Sequence, residues 1–348
     1  MASFLLAPLD AGGNVNPFLR LAEELQARGH AVHAVAPAVL RDRLGDAGVE
    51  VRAFPGLLPT PDDVLAAAAA TAVPPDVVIV DYMATPALNG ARALGRPTVA
   101  LVHTLYVDLL VGDAPMPMQV VADVAALNEE RARLGLAPIA GFGDLLSEVH
   151  LVLVTVSRDL DGPGTLPPNV HYGGILFQGA GPDALWVPPT GDHPLVVVSM
   201  GTAGQGGAPV LQRVLDALAD RAVRGWVSLP SYVQRDDLSV PDNVTLSDYV
   251  RHAAVMPHAD LLVTHAGPGS IGAALTFGVP IVCIPEDRDQ PVNATMVARL
   301  GVGRRLDSDA SPAAIGEAVE RGLAGPRPTP RPLDPGPACG LLEGLLHR

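Results

Sequence analysis

The residues best suited to chemistry lie in LLVTHAGPGSIGAALTFGVP, where an apolar strand-like run stops at His265, a glycine turn follows and a helical pattern begins near Ser270. The first N–H groups of a helix lack partners within it and its dipole adds partial positive charge, so such a turn holds a diphosphate without lysine. Gly267 and Gly269 would let the backbone approach the anion, and His265 and the Ser270 hydroxyl would donate hydrogen bonds to it. The plainer alternative is a tight strand-to-helix connection with a serine cap. Further on, PEDRDQPVNA places Asp289 and Gln290 at the carboxyl end of the next apolar run. A carboxylate beside a carboxamide offers the acceptors and donors that vicinal sugar hydroxyls need. Asp287 and Asp289 flank Arg288 in a pattern that elsewhere chelates a divalent ion. With the helix start already serving the phosphates, no metal is expected. Cys283 and Cys339 belong to no CxxC pair or His/Asp cluster, and Cys283 in VPIVCIP reads as a buried, inert thiol.

These residues need a frame, and the apolar periodicity supplies one. ASFLLAPL, AVHAVAP, VEVRAFP, DVVIVD and PTVALVH read as strands, with helical patterns over 17–28, 39–47 and 86–94 between them. Strands alternating with helices imply crossover connections and a parallel sheet covered on both faces. The grammar restarts after FQGAGPDALWVPPTGDHP with LVVVSM, GWVSLP, ADLLVTHAG and VPIVCIP as strands and helices over 209–221 and 270–277. The expected fold is α/β, two doubly wound, Rossmann-like halves facing a central cleft, with ligands at the carboxyl ends of the strands. The domains are placed at 1–178 and 194–324, with a linker at 179–193 and a Pro-rich extended or disordered tail at 325–348.

Composition narrows the function. The 348 residues contain 23 arginines, no lysine and 37 acids, for a formal charge of −14. A field of that sign repels polyanions, which excludes a reader of nucleic acid that works by blanketing phosphates. No basic leader precedes the first apolar run and no apolar stretch approaches the roughly 20 residues of a membrane span, so a cytoplasmic protein is expected.

HAGPGS and ALTFGVPIVCIPEDRDQPVNA, taken with NVNPFLRLAEELQARG and GHAVHAVAP, resemble the nucleotide-sugar-dependent family 1 glycosyltransferases of GT-B fold, especially bacterial enzymes that decorate natural products. The resemblance spans residues 1–324. It implies an acceptor-binding first half and a donor-binding second half. It also implies that Gly201 and Thr202 in SMGTAGQG touch the phosphates, and that Tyr249, Val250 and His252 cradle the nucleobase. His265, Gly267, Gly269 and Ser270 then map onto the pyrophosphate motif, and Asp289 and Gln290 onto the donor-sugar pair. The implied donor is a thymidine or uridine diphosphate sugar as co-substrate, with no further cofactor. The partner is a small acceptor, expected to be apolar and aromatic or polycyclic because the stretches 57–75 and 108–143 are rich in Ala, Leu, Val and Met, and homodimerisation is open.

Two departures stand against the pattern. Family members carry Gly-His-x-x-Pro in the first loop, with the His as general base, whereas this chain reads GGNVNP with Asn14 there. A neutral carboxamide takes no proton at physiological pH. Ala273 and Ala266 replace a ribose-binding Glu and the Gly after the motif His. The base is then Asp10 on the same loop, or His103 or Asp108 at and beyond the end of PTVALVHT. Alternatively the acceptor needs little deprotonation and Asn14 only orients it, or the chain is catalytically weak. The leading expectation is an inverting, hexosyltransferase-type enzyme. The rivals are a nucleotide-sugar epimerase and a non-catalytic nucleotide-binding helper subunit.

Overall fold

The computed structural model describes residues 1–10, 12–107, 123–201, 207–331 and 333–347. The first apolar run forms β1 (Ser3–Ala7), buried throughout. It is followed by α1 (Asn16–Ala27), β2 (Ala31–Pro37), α2 (Arg41–Asp46), β3 (Glu50–Phe54), α3 (Pro61–Ala70), β4 (Val77–Asp81), α4 (Thr85–Ala93) and β5 (Thr98–Val102). Then come α5 (Val124–Arg133), α6 (Phe142–Glu148), β6 (Leu151–Val154) and β7 (Val170–Tyr172). The strands pair in the order β3-β2-β1-β4-β5-β6-β7, every pair parallel. Central strands covered on both faces need continuous apolar runs, and β1, β4 and β5 are buried along their length, whereas the edge strand β3 alternates.

The second unit begins with β8 (Leu195–Ser199), α7 (Gly207–Leu218), β9 (Arg224–Ser228), β10 (Val244–Ser247), α8 (His252–Val255), β11 (Leu261–Thr264) and α9 (Pro268–Phe277). It ends with β12 (Ile281–Cys283), α10 (Gln290–Arg299), β13 (Gly303–Arg305) and α11 (Pro312–Ala324). Its sheet has the order β10-β9-β8-β11-β12-β13 and is again parallel. Each sheet reverses its winding beside its first strand, between β1 and β4 and between β8 and β11. Such reversals leave a crevice at the carboxyl ends of the strands, because the helices on either side of them depart to opposite faces.

Two expected boundaries differ from the structure. The stretch 179–193, read as a linker, belongs to the second unit, which runs from Phe177 to Leu333. Its Trp186 packs edge-on against Trp226 at 5.3 Å, and Asp183 Oδ2 accepts the Arg251 amide at 2.9 Å. The stretch 325–348, read as a tail, divides. The proline run crosses the end of α9, where the Arg331 amide donates to the Leu275 carbonyl at 2.9 Å. After it, α12 (Gly336–Glu343) forms and rejoins the first unit. Ala338, Cys339, Leu342 and Leu345 there are buried in the core with Leu21 and Leu25 of α1. Proline blocks a helix interior but not its first turn, where no intrahelical N–H is needed, and Pro337 lies in that turn. Another helix, α3, forms between the third and fourth strands, where no helical pattern was read, and Thr60 and Asp63 cap it reciprocally. Among the described residues no helix is long and apolar enough to cross a membrane.

Candidate functional site

In the second unit the register of the sheet builds the site. Ser199, the last residue of β8, pairs with Thr264, the last of β11, so the loops that follow leave side by side at the crevice. The His265 ring lies between two glycines of these loops. A Cβ on Gly201 would come within 2.6 Å of its Cε1, and one on Gly267 within 2.6 Å of its Nε2. Gly267, expected to let the backbone approach an anion, leaves room for this imidazole. A Cβ on Gly269 would meet nothing within 4 Å, so open space lies beside it. Helix α9 starts at Pro268 with Gly267 as its N-cap, two residues before the expected start, and Ser270 is buried in its first turn.

The histidines here are held neutral. His265 Nδ1 lies 3.4 Å from the Ser199 carbonyl oxygen, and burial lowers its pKa against the opposing pull of that carbonyl and of Asp289. His252 Nε2 lies 3.1 Å from Ser199 Oγ. Its pKa falls to about 4 through burial and the neighbouring His265. Ala266, after the motif histidine, has a φ of 72°. A residue with a Cβ is strained there, and a glycine is not.

Asp289 caps α10 beside this turn, and one side chain that sequence reasoning passed over joins the two. Asn293, one turn into α10 and 1% exposed, donates from Nδ2 to the Ala266 carbonyl at 3.0 Å and to Asp289 Oδ2 at 2.8 Å. Gln290 is turned inward: its Oε1 accepts the amides of Glu286 at 2.8 Å and Asp287 at 3.2 Å. Tyr249 is half exposed and Val250 half-buried, just before α8. Thr202 lies outside the described residues. No group of three or more His, Cys, Asp or Glu among the described residues is arranged to hold a metal ion.

The first unit gathers its own cluster at the β1/β4 reversal. Asn14 is buried, and its Nδ2 donates to the Leu9 carbonyl at 2.7 Å and to Asp81 Oδ2 at 2.9 Å. His103, just past β5, brings Nε2 to 3.3 Å from the same oxygen. Asp10 instead accepts the amide of Gly12 within its own loop at 3.3 Å, and Asp108 lies outside the described residues. The centre of this cluster, Asp81, was missed as a site residue. Its signal was an acid closing the otherwise apolar strand DVVIVD, where burial of a charge demands partners.

Comparison with known proteins places this geometry in context. Residues 212–328 match the family model described as Erythromycin biosynthesis protein CIII-like, C-terminal domain, and residues 11–123 match Glycosyltransferase Family 4. The Demethyllactenocin mycarosyltransferase of Streptomyces fradiae is 28% identical, with 99% of this chain and 87% of that protein aligned. The Oleandomycin glycosyltransferase of Streptomyces antibioticus is 28% identical over 88% of this chain and 80% of its own length. Among solved structures, the glycotransferase of kitacinnamycin superposes with a TM-score of 0.75 at 26% identity, covering 99% of this chain and 94% of that one.

Proposed function

The chain belongs to the family 1 glycosyltransferases of natural-product type and GT-B fold, and from that premise we propose that it moves a sugar, with inversion, from a thymidine or uridine diphosphate sugar to a small apolar acceptor. The acceptor binds the first unit and the donor the second. The observation that carries this reading is the start of α9: free helix amides, the open side of Gly269 and the buried Ser270 in the first turn.

The acceptor nucleophile attacks the anomeric carbon from the face opposite the diphosphate, and the carbon–oxygen bond to phosphate breaks as the new bond forms. Negative charge grows on the leaving phosphate, which the first-turn amides of α9 receive, with Gly201 beside the His265 ring. Dipoles fixed in advance need no reorganisation as the charge develops. Asp289, held by Asn293, receives the sugar hydroxyls, while Gln290 braces the loop before it through the Glu286 and Asp287 amides. Tyr249, Val250 and His252 flank the nucleobase. The resident groups serve the diphosphate without a metal ion.

Incubation with a panel of thymidine and uridine diphosphate sugars and aromatic aglycones, read by mass, should yield a glycoside. Calorimetric binding of thymidine diphosphate with no glycoside from any pair would favour the helper-subunit reading, which the neutral Asn14 otherwise keeps in view.

A further inference from the structure

Asp81 is wholly buried, and both of its oxygens are engaged. Oδ1 accepts the Met83 amide at 2.9 Å, while Oδ2 accepts Asn14 Nδ2 at 2.9 Å. No acceptor molecule reaches such a carboxylate directly. What faces it is an imidazole: His103 Nε2 lies 3.3 Å from Oδ2, shielded from solvent and without an aligned hydrogen-bond partner. The ring stands edge-on to Tyr82 at 5.1 Å, and the Tyr82 hydroxyl pairs with Thr104 Oγ1 at 3.1 Å, which limits its rotation. The side chain nonetheless keeps 11% of its surface open.

We infer that His103 is the general base for sugar transfer, with Asp81 as its positioning carboxylate and Asn14 as the amide that locks Asp81 in place. This rests on the transfer reading above and deepens it. With Nε2–H turned to Asp81, the lone pair sits on Nδ1, because the tautomer is set by the partner of the other nitrogen. As the acceptor oxygen bonds to the anomeric carbon, the carbon–oxygen bond to the diphosphate breaks and its electron pair leaves with the nucleoside diphosphate. The acceptor proton passes to His103 Nδ1, and the imidazolium charge forms beside Asp81. Hydrogen bonds of this kind are often long in a free enzyme and shorten as the charge appears. Asn14, at the position where relatives are expected to carry the base, thus becomes a structural donor. The base moves to a neighbouring loop of the same crevice.

The test compares an aliphatic alcohol with p-nitrophenol as acceptors, using whichever donor of the panel is turned over. His103→Gln should lower kcat/KM for the alcohol by roughly 10²–10⁴, and far less for the already acidic phenol. Free imidazole should restore part of the alcohol rate to His103→Ala. Asp81→Asn should lower kcat more than it raises KM. Undiminished alcohol transfer by His103→Gln overturns the assignment. A second measurement is independent of turnover: nitrogen NMR of the full chain should find His103 with its proton on Nε2, and Asp81→Asn should mix the tautomers. A proton fixed on Nδ1 overturns the inference even if sugar transfer is established. The Nε2 tautomer in a protein that transfers nothing supports the Asp81–His103 arrangement while sinking the transfer reading.

Discussion

Two glycines shape the imidazole at position 265, and the cost of filling either is steric. A Cβ on Gly267 would sit 2.6 Å from His265 Nε2, well inside the roughly 3.5 Å at which nonbonded atoms rest. Gly267→Ala should therefore displace the ring and weaken thymidine diphosphate binding by roughly tenfold, about 1.4 kcal/mol, in calorimetry. An unchanged affinity would mean that the ring does not position the diphosphate. His252 supports a prediction about stability. Its pKa lies at about 4 in the fold, against about 6.5 in the unfolded chain. The unfolded chain therefore binds the extra proton between these values and the folded chain does not. The contribution of the neutral ring is complete above about pH 6.5 and is lost as pH falls toward about 4. Melting temperature should drop across that window, and less steeply in His252→Gln. Equal slopes for the two proteins would contradict the burial of a neutral imidazole.

Between elements, the decisive contact is the one Asn293 makes from α10 to the turn before α9. It satisfies the Ala266 carbonyl at 3.0 Å, where the backbone is strained at φ 72°, and the Asp289 carboxylate at 2.8 Å. Asn293→Ala would leave both acceptors short of a donor in a buried place, at a cost of about 1–3 kcal/mol. If Asp289 meets the donor sugar as proposed, binding of the sugar-bearing donor should suffer more than binding of free thymidine diphosphate. Equal losses for the two ligands would place Asp289 elsewhere. The strands themselves were legible: DVVIVD, PTVALVH and LVVVSM stand out because parallel strands buried on both faces need unbroken apolar runs. So was the turn at His265, since glycines between a strand and a helix are a local signal. Asn293 was not legible, because nothing in VNATM distinguishes a buried amide with two remote partners from an exposed helical one.

At the scale of the whole chain, the last fifteen residues return to the first unit, Asp334–Arg348 joining Met1–Leu176. Leu342 is fully buried there, and Glu343 reaches Arg28 Nη1 at 3.3 Å and His30 Nε2 at 3.1 Å. Leu342→Ala should destabilise the protein by about 2–5 kcal/mol, the range for a buried leucine that leaves a cavity. Proteolysis should then open the first unit before the second. Protection lost equally in both units, or in neither, would refute the packing. The amino-acid sequence by itself determined the two α/β halves, the glycine turn between His265 and the helix that follows, and the carboxamide at position 14. All of these depend on residues adjacent in the chain or on their local periodicity. Only the tertiary structure decided that α12 closes the first core, that Gly201 makes room for the His265 ring, and that Asp81 stands between Asn14 and His103. Those contacts join residues dozens to hundreds of positions apart. Strand order and register bring them together, and no local pattern encodes which distant partner a buried acid, a glycine or a short apolar helix will meet.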